Sequence, residues 1–180
     1  MIDSAIHSIV KHLTTEFTSD FGGRIYGEVT AGVYRDSTTG AFVTIEKLTM
    51  PLMVVGLASE RFGQYTFGGD DSQVAHTIGF MVGVYTSREP VRTSSTTADA
   101  WNVEKLASRV AMHLGSEPIT MYRRDTDAQI GETEGYYPEN ISADRTQGNY
   151  GSDRVLLWRY REITFDLEIR RIVGATYIDS

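Results

Sequence analysis

The 180-residue sequence contains no cysteine. That absence excludes disulfides, thiolate metal sites, a cysteine nucleophile and Cys-ligated iron–sulfur clusters, and it fits a reducing compartment. No run approaches the ~20 apolar residues of a membrane span. The first segment is amphipathic, unlike the basic, then apolar, then small-residue pattern of a secretory signal. The expectation is a soluble protein kept in a cytosol. Positive charge is also scarce: 17 Lys and Arg against 24 Asp and Glu leave a net charge of −7. This argues against a broad basic surface that grips nucleic-acid phosphates, though not against a wall that DNA slides past.

Catalytic signatures are missing too. There is no Gly-x-Ser-x-Gly elbow, no Walker loop and no Rossmann fingerprint, since Phe67-Gly68-Gly69 has neither the spacing nor the following lysine. Asp125-Thr126-Asp127 opens like a calcium loop, but the sixth position is Ile130 and the twelfth is Tyr136, so the EF-hand pattern fails. Asp125, Asp127, Glu132 and Glu134 remain as donors for a looser site. His7 and His12 are five apart, off a common helical face, and with His76 and His113 they read as surface or core-edge residues rather than metal ligands. Paired carboxylates of the glycosidase kind arise easily by chance among 24 acids. The expectation is a protein that is not an enzyme, with no catalytic, metal or cofactor-binding residues.

What is present is an ordinary globular composition, 41% hydrophobic and 23% charged, sufficient for one sizeable core and a single domain over residues 1–180. Ile6, Ile9, Val10, Leu13 and Phe17 recur at helical steps after a cap at Asp3 or Ser4, and Gly22-Gly23 lies past the helix end. Arg24–Thr30 and Ala41–Leu48 read as a hairpin around the turn-rich Asp36–Gly40. Pro51 opens the apolar run Leu52–Leu57, and Gly68–Asp71 reads as a turn. His76–Thr86 alternates cleanly, with Gly79 and Gly83 on its second face, where a helix or a neighbouring subunit could approach closely or the strand could bend. A second helix spans Thr97–Leu114, capped at Thr96 or Thr97, with a buried stripe of Val103, Leu106, Ala107, Val110, Ala111 and Leu114.

The long alternation Val155–Val173 changes parity. Leu156, Trp158 and Tyr160 share one face; Ile163, Phe165, Leu167 and Ile169 share the other. A flat strand with one buried face would expose half of this set, so a bulge near Arg161 is expected. Nineteen residues at ~3.3 Å each reach roughly 60 Å, against about 40 Å for a compact domain of this size. The strand must bend, or one end must project.

Residues Asp125–Asp153 show almost no periodicity and hold seven acids against the single base Arg145. A loop of this length is usually functional or disordered, and Tyr136, Tyr137 and Tyr150 favour one that orders against a partner. Arg123, Arg124, Arg159, Arg161, Arg170 and Arg171 are the notable cations. On strands they form a solvated face, or they meet the acidic loop of an adjacent copy head to tail and close a ring. The candidate partner-binding set is therefore Arg123, Arg124, Asp125, Asp127, Glu132, Glu134, Tyr136, Tyr137, Tyr150, Arg159 and Arg161.

The opening Met1-Ile2-Asp3-Ser4-Ala5-Ile6, the run Pro51-Leu52-Met53-Val54-Val55-Gly56-Leu57, the strand His76–Thr86 with its following helix, and the closing strand Trp158–Ile169 together resemble the tail-terminator, or tail-completion, proteins of tailed bacteriophages. The likeness is one of pattern and spans nearly the whole chain. It implies an α+β fold: a curved, mainly antiparallel sheet carrying two helices, with a long final strand and one long acidic loop. It also implies a structural virion protein that forms a ring, commonly a hexamer, at the end of the tail tube, terminating tail assembly and joining the head. The partners would be further copies of the chain, the tail tube protein, and neck or connector proteins, with DNA passing through unread and no membrane involved. Assembly would take place in the host bacterial cytoplasm, with no cofactor. The acidic loop exceeds what a minimal member needs, which leaves a neck or head–tail connector as the neighbouring alternative. From other classes come a small carbohydrate-acting hydrolase and a monomeric binding module, each using that loop.

Overall fold

The apolar stripe Ile6, Ile9, Val10, Leu13, Phe17 and Phe21 forms one face of α1 (Ile2–Phe21) and is buried along its whole length. The helix stops where Gly22 and Gly23 take positive φ, and Gly23 N donates to Thr18 O at 3.1 Å, closing the last turn as a Schellman motif does. In this computed structural model the residues described are 2–30, 32–36, 39–44, 50–66, 73–87, 102–130, 134–150 and 156–172.

The chain continues through β1 (Ile25–Thr30), β2 (Val33–Asp36), β3 (Phe42–Val43), β4 (Leu52–Thr66), β5 (Gln73–Ser87), α2 (Val103–Ser116), β6 (Met121–Tyr122), β7 (Gln129–Ile130), β8 (Glu139–Ala143), β9 (Gln147–Tyr150) and β10 (Leu156–Ile172). The main sheet runs β3-β2-β1-β4-β5-β10-β8, with β9 also on β10; among the described residues only β1 and β4 pair in parallel. Strands β6 and β7 form a separate hairpin. The chain is therefore α+β, with two helices on an open, mainly antiparallel sheet. Among the described residues no helix is long and apolar enough to cross a membrane.

Both helices cover one face of the sheet. Met53, Val55, Ile78, Phe80, Val82, Val84, Ile163, Phe165, Leu167 and Ile169 supply that face and pack with the stripes of α1 and α2 in one core. Gly27 on β1 permits close approach of α1, since a Cβ there would stand 2.8 Å from Ile6 Cγ2. Asn102 caps α2: its Oδ1 accepts from Glu104 N at 3.0 Å and Lys105 N at 3.2 Å. The helix thus begins at Val103, not at Thr97, and the sequence-based caps Thr96 and Thr97 lie outside the described residues. Replacing Asn102 by alanine is expected to cost about 1 kcal/mol of stability, read from the midpoint of urea unfolding.

The expected bulge near Arg161 is not formed on the β5 side. Register runs unbroken from Trp158 opposite Ser87 to Ile172 opposite Gln73. The parity change is resolved differently, because the sheet is apolar on both faces. Tyr26, Tyr34, Leu52 and Val54 make a second buried cluster on the face away from the helices, joined by Tyr85, and Tyr160 stacks on Tyr85 with ring centroids 5.5 Å apart. The ladder with β5 continues through Arg170–Ile172, past the alternating buried side chains Ile163, Phe165, Leu167 and Ile169.

The expected hairpin Arg24–Thr30 with Ala41–Leu48 is a three-strand meander instead. β1 pairs β2 across residues 31–32, and β2 pairs β3. Residues 45–49, and the turn expected at Gly68–Asp71, lie outside the described set. The stretch Asp125–Asp153 is not a structureless loop: it contains β7, β8 and β9. β8 and β9 are two halves of one edge strand along β10, interrupted at residues 144–146. Glu139 in β8, and Asp144 and Arg145 at the interruption, are exposed charges of the kind expected on such an edge, because charge discourages unwanted strand pairing there.

Candidate interaction sites

Three surfaces combine chemistry with exposure. The first is the face of the sheet away from the helices, where Tyr26, Tyr34, Leu52 and Val54 are buried together with Tyr85 packed against them. Burial, then Glu28 and Glu162, raise the Tyr34 hydroxyl above its ordinary value, and burial, then Tyr34 and Glu162, do the same for Tyr85. Gly83 gives the Tyr85 ring a place to lie, since a Cβ there would be 2.7 Å from it. The neighbour anticipated over the glycine face is therefore a set of side chains from the same sheet. Neither helix lies there.

The second surface is the seam between α1 and α2. His12 and His113 stack with centroids 4.5 Å apart, and Phe17 meets His113 edge-on at 5.5 Å. Arg109 and Asp20 close one end of the seam at 2.8 Å. A cleft of about 170 Å³ opens beside the histidines, with Thr15, Glu16, Glu117 and Thr120 in its walls. The Nε2 atoms of His12 and His113 are buried without hydrogen-bond partners. Burial, with the neighbouring His113 next in weight, pushes the His12 imidazole down to about 4, partly opposed by Glu117. Among the described residues no group of three or more metal-ligating side chains converges.

The third surface consists of the two sheet edges and the β6–β7 hairpin. The hairpin is pinned to α1. Ser8 Oγ accepts from Tyr122 N at 2.8 Å, and Lys11 Nζ stands 3.7 Å from the Tyr122 ring centroid. Asp127, in the turn with φ +54°, accepts from Lys11 Nζ at 2.7 Å and lies 3.2 Å from His7 Nε2, contacts that hold its carboxyl below the usual range. Arg124 pairs with Asp3. These residues fasten one part of the chain to another, so Asp127 is no longer a free donor for a calcium site.

The remaining candidates separate by place. Tyr136 is buried and exchanges backbone hydrogen bonds with Ile119, so it belongs to the core. Arg123 closes the β6–β7 turn by accepting from Asp127 N at 2.9 Å. Asp125 and Glu134 are exposed, and so is Tyr137 at 62%. Tyr150 lies opposite Leu156 in β9, and Glu132 lies outside the described residues. Arg159 and Arg161 stand on β10, which is an interior strand. Arg161 Nε donates to Asp144 O within the same chain, at 2.7 Å.

Sequence reasoning missed the other edge. There Arg35 lies over the Phe42 ring at 4.7 Å, Phe42 is 63% exposed and Val29 40%. Arg35 Nε is buried without a hydrogen-bond partner. The four-residue alternation of β2 was the available signal, but edge position is set by tertiary pairing and leaves no mark in a local window. Together the fold and surfaces define an α+β protein with an open sheet, one helix-covered face and two chemically different edges. No protein-family model and no curated protein matches the chain.

Proposed function

We propose that the chain is a structural virion protein that assembles through its sheet edges into a ring at the end of a phage tail tube. The observation that carries this reading is the open sheet with its two unlike edges, β2–β3 and β8–β9, at opposite ends of the strand order. A contact between unlike edges is heterologous, so it propagates from copy to copy and closes when the rotation permits. The element order and the open sheet with both helices on one face agree with the family resemblance. The three long strands β4, β5 and β10, of 15, 15 and 17 residues, supply a stiff wall for a tube joint. Particle mass by light scattering across a range of concentrations, with negative-stain electron microscopy, tests the reading. A closed ring with a central hole is the expected result; a particle that stays monomeric at high concentration would sink a self-forming ring.

A further inference from the structure

We infer that the interface of that ring is a specific edge-to-edge contact. The Arg35–Phe42 edge of one copy receives the acidic β8–β9 edge of the next. This rests on the ring reading and gives it named residues. Arg35 shares the helix-side face of β2 with its partner Gly27, while Glu28 lies over Gly56 on the opposite face. The nearby Asp3 is already paired with Arg124. Among the described residues, Arg35 thus carries a buried guanidinium nitrogen with no acceptor.

Around it Ile6, Val10 and Val29, together with Asp3, Glu28 and Arg124, line a hollow of about 50 Å³ between α1 and the sheet edge, too small for an ordinary small-molecule ligand. Arg35 as a whole is half-buried, but its Nε is a buried donor left without an acceptor, which is costly, and an incoming carboxylate supplies that acceptor. The opposite edge offers one. β8 and β9 pair with β10 on one side, no described strand lies on the other, and Glu139 and Asp144 are exposed along it, with Tyr137 nearby. The β2–β3 edge thus presents Arg35 beside the exposed Phe42, with Asp36 next in the strand, and the β8–β9 edge presents Glu139 and Asp144 near the exposed Tyr137, with Arg145 following Asp144. An edge strand can accept a further strand.

Two edge variants test this in full-length protein, with folding checked by circular dichroism. One carries Arg35→Ala and Phe42→Ala, with Phe42→Ala alone as a second form should the double variant misfold. The other carries Glu139→Lys and Asp144→Lys. Each alone should weaken self-association at least tenfold by sedimentation. Mixed in equal amounts, they should give a one-to-one dimer and nothing larger, because a single intact contact remains between them. Rings of unchanged mass from either variant would overturn the inference and leave the ring reading standing, as would a mixture that stays monomeric or closes into rings. A wild-type chain that never associates would overturn both.

Discussion

Phe165→Ala should destabilise the folded chain by about 3–5 kcal/mol, the cost of removing a large aromatic side chain from a packed core. Phe165 is 1% exposed at the middle of β10, directly opposite Phe80 on β5, with ring centroids 5.8 Å apart. Strands stand on both sides of it, and α2 packs on β10, so the hole cannot collapse without moving the helix layer. Total stability of a domain is only about 5–15 kcal/mol, so the melting temperature should fall by roughly 10 °C or more. Phe165→Leu, which keeps most of the volume, should cost less than about 2 kcal/mol. Phe42→Ala, at an exposed edge, should leave the monomer within about 0.5 kcal/mol of wild type. Denaturant titration gives all three values. A loss below about 1 kcal/mol for Phe165→Ala would mean that the two-sided packing described for β10 is wrong.

Acidification should weaken the fold through His12. Its imidazole is held down to about 4 in the folded chain, against 6.5 for an unperturbed histidine. The folded state therefore favours the neutral ring, and between these values the unfolded chain binds more protons. Stability is full above about pH 7, declines as the pH falls through 6.5 towards 4, and levels off below. The groups facing the ring are His113 and Glu117 from the α2 side, with Lys11 and Glu16 beside it on α1. Because the ring is partly open to solvent, the loss should be about 1–2 kcal/mol rather than the full value of the shift. Asp127 acts in a separate window. Its lowered carboxyl contributes stability above its ordinary value of 3.8, and that contribution disappears only as the pH falls below it. His12→Phe keeps a ring against His113 and should flatten the decline between pH 6.5 and 4 while sparing the drop at lower pH. Equal slopes in variant and wild type would remove His12 from the account.

The fold was legible wherever one period persisted over many residues. The stripes of α1 and α2 and the alternation in β5 and β10 predicted elements that the structure contains, because burial on a single face imposes a period that survives in the sequence. The failures share a physical cause. The parity change after Tyr160 implies a bulge near Arg161 only if the sheet has one apolar face, and the buried cluster of Tyr26, Tyr34, Leu52 and Val54 on the second face is set by tertiary packing that a local window does not show. β8 and β9 pair across to β10, so the order of the acidic stretch comes from its partner, not from periodicity of its own. Of the candidate partner residues, Asp127 and Arg124 are spent on α1, more than a hundred residues distant, and Tyr136 on the core through its bridge to Ile119. Arg35 and Phe42 lay in short segments whose importance depends entirely on being last in the strand order.

The position of β10 also governs the order in which the sheet can be built. It is a middle strand, yet it follows every other described sheet element in the chain. Its pairing with β5 joins residues roughly 70–100 apart, the kind of long-range closure that slows folding. Until β10 arrives, β3-β2-β1-β4-β5 is a half-sheet ending on the apolar, β-rich edge of β5, and β8–β9 has nothing to pair with. During synthesis that edge is the surface most prone to capture by another nascent chain. The last sheet element to be made is the one that closes it.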